Sequence, residues 1–280
     1  MRNNLKGLAG SLLFFLNIFI IFLLLFEWKM NVPHWLVPVG RMHPMILHFP
    51  IVILMLSMVL EFFRFKEEYN NHDFYKSFTS NLLLTGALSA AITVIMGLFL
   101  SKEEGYTGNI LQWHKWTGVS IVFVTSLIYW YRDAAWYKTR VARSAAVLTI
   151  FFLIAAGHYG AALTHGDDFV LGPVMNTGQE KVPLEQALLY DDVVKPIFQS
   201  KCVSCHNADK IKGGLLLTDP EAIMKGGKNG NFIVAGKPEL SLLLKRVHLP
   251  QEDKEHMPPK GKTQLTDQEA LLLYLLVKAN

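Results

Sequence analysis

The two cysteines of this chain stand close together, in Cys202-Val203-Ser204-Cys205-His206. Two thiols two residues apart, followed at once by an imidazole, form the C-x-x-C-H spacing that attaches haem. The chemistry accounts for the spacing. Each thiol adds to one vinyl group of the same porphyrin, and the adjacent His206 is left under the iron as an axial ligand. Two other chemistries use paired cysteines. A structural zinc site needs a second ligand pair, and the chain has no third cysteine. A thioredoxin-like pair belongs to a βαβ context, which is absent. The expectation is therefore one covalent haem c, held by Cys202 and Cys205 with His206 on the metal.

The sixth ligand must come from further along, and Met224, His248, His256 and Met257 are the candidates. Met257 lies in Glu255-His256-Met257-Pro258-Pro259, a stiff proline-bounded loop suited to holding a long thioether. A Met–His pair is the usual cytochrome c arrangement and raises the potential relative to two imidazoles. His256 is the rival, unless it is an ordinary solvated loop residue.

Helices must position these groups. Residues 184–201 read as helical, with Leu184, Ala187, Leu188, Val193, Val194, Ile197 and Phe198 as apolar positions and Pro196 as a kink or interruption. Thr266-Asp267-Gln268-Glu269 is a capping box. It opens a C-terminal helix bearing Leu271, Leu273, Leu275 and Val277, apolar enough to close over a haem edge.

This segment, nearly all of 187–280, resembles the planctomycete-type cytochrome c family. The resemblance rests on Cys202-Val203-Ser204-Cys205-His206, Lys212-Gly213-Gly214-Leu215-x-Leu217, Gly226-Gly227, Gly236-Lys237-Pro238-Glu239-x-Ser241-x-Leu243, Met257-Pro258-Pro259-x-Gly261 and Leu265-Thr266-Asp267-Gln268-Glu269. It implies His206 and Met257 as axial ligands. An extra acidic stretch, Gln251-Glu252-Asp253-Lys254-Glu255, precedes the methionine loop here.

The rest of the chain reads differently. Of 280 residues, 51% are hydrophobic, and the apolar residues crowd into the first 165. A formal net charge of +4 gives no reason to propose a nucleic-acid partner. Five runs, at 8–26, 43–63, 80–100, 113–131 and 144–163, are long enough for helices spanning a bilayer core, which takes roughly 20 residues. The first follows the basic leader Arg2–Lys6 but ends in Phe26-Glu27-Trp28-Lys29. It has no small-residue cleavage site, so it reads as an uncleaved anchor. Basic residues orient the spans. With a cytoplasmic N-terminus, the inner segments carry Arg2, Lys6, Arg64, Lys66, Lys76, Arg132, Lys138, Arg140 and Arg143. The outer ones before residue 166 carry only Lys29, Arg41, Lys102 and Lys115. Trp28, Trp35, Trp113, Trp116, Trp130 and Trp136 lie near span ends, where indoles anchor at the interface.

This topology puts His43, His48, His114, His158 and His165 at the outer face. Ionisable groups in spans are costly, which makes each a candidate for function. His48, His114 and His158 lie within one or two turns of their helix ends and can meet at one level. His43 and His48, five apart, differ by about 140° around a helix and cannot easily share a ligand. His158 and His165 share a face about 10.5 Å apart. The functional reading is a b-type haem held by two imidazoles, with His48, His114, His158 and His165 as candidates and His48 and His158 as candidate iron ligands. The plainer reading is interfacial histidines bonded to each other or to water, and a quinol or metal site is a third. Residues 35–170 resemble a family of bacterial membrane proteins of unassigned function, through His43-Pro44, His48-Phe49-Pro50, Gly157-His158-Tyr159-Gly160 and Thr164-His165-Gly166.

The sequence thus implies an all-α chain. A five-helix transmembrane domain (1–165) is followed by a Gly-, Asn- and Pro-containing linker (166–186) and a small helical cytochrome c domain outside the membrane (187–280). It implies a multi-pass protein of a bacterial inner membrane with a periplasmic C-terminal domain, lipid around its spans and redox proteins as partners. Electron carriage is the leading function. A docking subunit of a larger respiratory complex and a quinol-oxidising cytochrome are the alternatives.

Overall fold

The structure, a computed structural model, describes residues 2–103, 105–165 and 188–279. The expected linker, and Leu184 and Ala187 of the following helix, lie outside them. The fold is helical. Its only strands among the described residues are β1 (His206–Asn207) and β2 (Lys210–Ile211), an antiparallel pair. The chain divides into two compact units, residues 1–103 with 111–160, and residues 104–110 with 161–280.

The first unit is built on α1 (Arg2–Leu25), α2 (Val37–Arg41), α3 (His43–Ile46), α4 (His48–Phe63), α5 (Glu67–Asn70), α6 (Asp73–Leu100), α7 (Gly108–Tyr131) and α8 (Thr139–His165). Its core joins Ile20 of α1, Leu54 and Met58 of α4, Leu83 and Ala91 of α6, Val119 and Val122 of α7, and Ala146 and Leu153 of α8. The expected second span is broken. α2–α3 and α4 meet at a bend of 43°. Pro50 explains the break, because it lacks the N–H that would reach the Ile46 carbonyl and its ring crowds that carbonyl.

Among the described residues, α1, α6 and α8 are each long and apolar enough to cross a membrane, and the bent pair makes four. The fourth expected span, α7, is helical over 24 residues but too polar by composition, with Asn109, Gln112, His114 and Lys115 in its first turns. It tolerates this because its Val119, Ile121, Val122 and Ile128 are buried in the shared core. The six tryptophans are all exposed at or near helix ends.

Polar groups inside the bundle tie helices together. Asn17 Nδ2, in mid-α1, donates to Leu13 O at 2.8 Å and to Ser126 Oγ of α7 at 2.9 Å. Glu61, fully buried, lies 3.0 Å from Arg132 Nη2 and 3.3 Å from Arg64 Nη1. Arg64 also donates to Arg132 O at 2.7 Å and pairs with Asp133 at 2.6 Å. The last turn of α4 is thereby fastened to the end of α7.

The second unit carries a π-helical turn (Leu189–Val194), then α9 (Lys195–Lys201), α10 (Pro220–Lys225), α11 (Leu242–Val247) and α12 (Asp267–Ala279). Pro196 sits in the first turn of α9, where its missing N–H costs nothing. The expected kink is thus a join between two helical segments. The core comprises Val194, Ile197, Phe198, Leu217, Leu243, Leu273, Leu276 and Val277. Asp219 caps α10 by accepting from Ala222 N at 2.8 Å. The capping box at α12 is formed in both directions: Glu269 Oε2 accepts from Thr266 N at 2.7 Å, and Thr266 Oγ1 accepts from Glu269 N at 3.2 Å.

Candidate functional site

Cys202 ends α9, and the turn after it is closed by the chain's own amides. Cys202 N and Val203 N both donate to Phe198 O at 2.8 Å, and His206 N donates to Cys202 O at 3.2 Å. Both thiols are free and partly buried. Burial pushes the Cys202 thiol up to about 12, with Cys205 and Glu269 adding to the effect. It is a neutral thiol at pH 7, unlike the low-pKa thiolate of a disulfide exchanger or a zinc ligand.

His206 is oriented from below. Its Nδ1 lies 3.3 Å from Leu215 O. A carbonyl only accepts, so Nδ1 carries the proton and Nε2 keeps its lone pair for a metal. Burial draws the imidazole below its ordinary value, against the opposing hydrogen bonds to carbonyls of Leu215 and Lys212. The Leu215 carbonyl is delivered by Lys212-Gly213-Gly214, where both glycines have positive φ, +62° and +67°. Lys228 N donates to Gly213 O at 2.8 Å and holds that turn. A Cβ on Gly227 would stand 2.7 Å from the same oxygen, so only glycine fits there. The glycine motifs therefore form the bed under the His206 turn.

The methionine loop is also braced. Met257 N donates to Arg246 O at 3.2 Å. The neighbouring His256 is only 6% exposed. Its Nδ1 lies 2.7 Å from Leu249 O and its Nε2 2.8 Å from Gln264 Oε1. The Gln264 amide nitrogen faces the carbonyls of Pro258, Pro259 and Lys262, which fixes its oxygen toward His256. Both ring nitrogens of His256 are thus engaged by neighbouring groups, and neither is turned toward an open site. Met224 and His248 are exposed. Met257 lines a cleft of about 420 Å³ with Val247, His248, His256, Leu265, Ala270 and Tyr274. Cys202, Val247 and Leu265 pack against one core, which joins the cleft wall to the C-x-x-C-H turn. Two adjacent thiols, an imidazole whose Nδ1 is committed to a carbonyl and a thioether form a donor set that fits a c-type haem.

In the first unit the structure pairs histidines differently from the sequence expectation. His48 and His158 are exposed, and so is His165. His48 makes a local contact of 3.3 Å from Nδ1 to Met45 O, and His158 rests on the Tyr159 ring. The break at Leu47 turns His43 inward in its place. His43 and His114 face each other with ring centroids 6.0 Å apart and planes at 85°. The sequence expectation leaves His43 out of the ligand set, because it treats 43–63 as one unbroken helix. It also misses Glu61, an ionisable residue inside an expected span with Arg64 one turn on.

A helical domain that presents C-x-x-C-H over an oriented imidazole, joined to a bundle of long apolar helices, is a membrane-associated cytochrome. Residues 202–261 match the family described as Planctomycete cytochrome C, and residues 41–170 match the family described as Predicted membrane protein (DUF2231). The chain is a fusion of these two segments. No curated protein and no solved structure matches it.

Proposed function

We propose that this protein is an electron carrier, with one haem c attached through Cys202 and Cys205 and ligated by His206 and Met257. The observation that carries the reading is the His206 ring, whose Nδ1 is committed to Leu215 O, leaving Nε2 for iron. The full use of both His256 nitrogens favours Met257 as the sixth ligand. The bound haem supplies one-electron chemistry, and the protein supplies orientation and potential. The excess of basic residues on alternate loops, with α7 included to make five spans, supports a periplasmic C-terminal domain on a bacterial inner membrane. Redox proteins are its partners on that side, and a non-covalent b-type haem among the membrane helices belongs to the same reading.

Haem staining after denaturing electrophoresis tests the attachment. The wild-type protein should keep haem through denaturation, and Cys202→Ala with Cys205→Ala should lose it. A stained double variant would overturn the assignment. Protease added to intact spheroplasts should remove the C-terminal domain, and protection there would reverse the topology.

A further inference from the structure

His43 and His114 are seated in the same way on different helices. His43 Nδ1 lies 2.8 Å from Thr93 O, and a Cβ on Gly97 would stand 3.0 Å from its Cε1. His114 Nδ1 lies 2.9 Å from Ala156 O, and a Cβ on Gly160 would stand 3.0 Å from its Cε1. Each ring therefore rests on a glycine and reaches the carbonyl four residues before it. Thr93 is seven residues from the end of α6 and Ala156 nine from the end of α8, so the two seats lie about 10 and 14 Å in from those C-termini.

The hydrogen bonds fix the chemistry. Both Nδ1 atoms face acceptors and carry the protons, so both Nε2 atoms hold lone pairs. Two such lone pairs cannot satisfy each other, and one electrophile set between them would take both. A bare zinc or copper ion would need three or four protein ligands. Among the described residues no group of three or more His, Cys, Asp or Glu could hold one. A haem brings four equatorial nitrogens of its own and needs only two axial imidazoles. Metal–nitrogen bonds of about 2 Å on opposite sides of one iron place the imidazole centres roughly 6 Å apart, close to the 6.0 Å found.

We propose that His43 and His114 are the axial ligands of a b-type haem held without covalent bonds inside the helical bundle. This names the ligands of the b-haem in the function proposed above and rests on that reading. Gly97 and Gly160 are positioning residues, there to admit the two rings. His48, His158 and His165 take no part in ligation.

The test uses full-length protein in detergent, with pyridine haemochrome spectra before and after acid–acetone extraction. Extraction removes a non-covalent haem and leaves a covalent one. The expected result is one extractable b-haem and one retained c-haem per chain. His43→Gly and His114→Gly should each lose the b-haem and keep the c-haem, while His48→Ala and His158→Ala keep both. Imidazole added to His43→Gly during reconstitution should restore the b spectrum, which separates ligand loss from misfolding. Gly97→Val should weaken b-haem retention without touching the c-haem. Absence of extractable haem from wild type, or its full retention in the His43 and His114 variants, overturns the proposal. So does stoichiometric zinc or copper lost from those variants, or quinol-dependent reduction of the c-haem that needs His43 and His114 with no b-haem present. Loss of the covalent haem from wild type would instead refute the function proposed for the C-terminal domain.

Discussion

Replacing Gln264 with alanine removes the side chain that holds the Met257 loop closed. The amide oxygen accepts from His256 Nε2 at 2.8 Å, and the amide nitrogen faces Pro258 O at 3.0 Å, Pro259 O at 3.2 Å and Lys262 O at 3.0 Å. An NH₂ group has two hydrogens, so these contacts amount to three full hydrogen bonds. The loss is unequal. The exposed Pro259 and Lys262 carbonyls can turn to water at little cost, whereas His256 and Pro258 are buried. A buried donor left unpaired costs about 1–3 kcal/mol, and a lost hydrogen bond about 1 kcal/mol. Gln264→Ala should therefore destabilise the domain by about 2–3 kcal/mol. With a urea dependence of about 1–3 kcal/mol/M, the unfolding midpoint should fall by roughly 1–2 M. The midpoint is read from visible haem absorption, with methionine ligation followed in parallel. Gln264→Glu keeps an acceptor for His256 but sets a carboxylate oxygen against the Pro258, Pro259 and Lys262 carbonyls, so its midpoint should fall by at least as much. A midpoint unchanged within error in Gln264→Ala would refute the bracing role and remove the main reason for preferring Met257 over His256.

Three further outcomes follow from the same geometry. Gly227→Ala forces a Cβ to 2.7 Å from Gly213 O; it should shift the turn under His206 and reduce haem-loaded protein in a haem-stained gel relative to wild type. Glu61→Ala leaves Arg64 and Arg132 buried without their shared carboxylate and should cost about 3–5 kcal/mol, seen as lost thermal stability in detergent with the c-haem still attached. Glu269 is held below its ordinary value: burial would raise it, but hydrogen bonding to Thr266 and the nearby Lys201 ammonium outweigh that. A lowered folded value means stabilisation present above the unfolded glutamate range and lost as pH falls through the folded value. Wild type should therefore lose more stability than Glu269→Gln on acidification below about pH 4.3, and parallel acid titrations of the two would contradict this.

What was legible in the sequence was local. C-x-x-C-H places three ligand groups within five residues, and the capping box links residues three apart, so neither depends on distant packing. The apolar runs gave helices at all five expected places, because helix in an apolar setting satisfies its own backbone. What was not legible depended on carbonyls far along the chain. His43 meets Thr93 and His114 meets Ala156, separations of 50 and 42 residues, and no spacing rule connects them. His48, His114 and His158 share a level, but level does not say which side of a helix faces inward. The Pro50 break decides that, turning His43 toward α6 and leaving His48 outside. In the same way His256 and Met257, adjacent in sequence, were both open as iron ligands until Gln264 filled the last free nitrogen of the histidine. Both sites thus turn on one question that residue type does not answer, namely which ring nitrogen the backbone and its neighbours have already claimed.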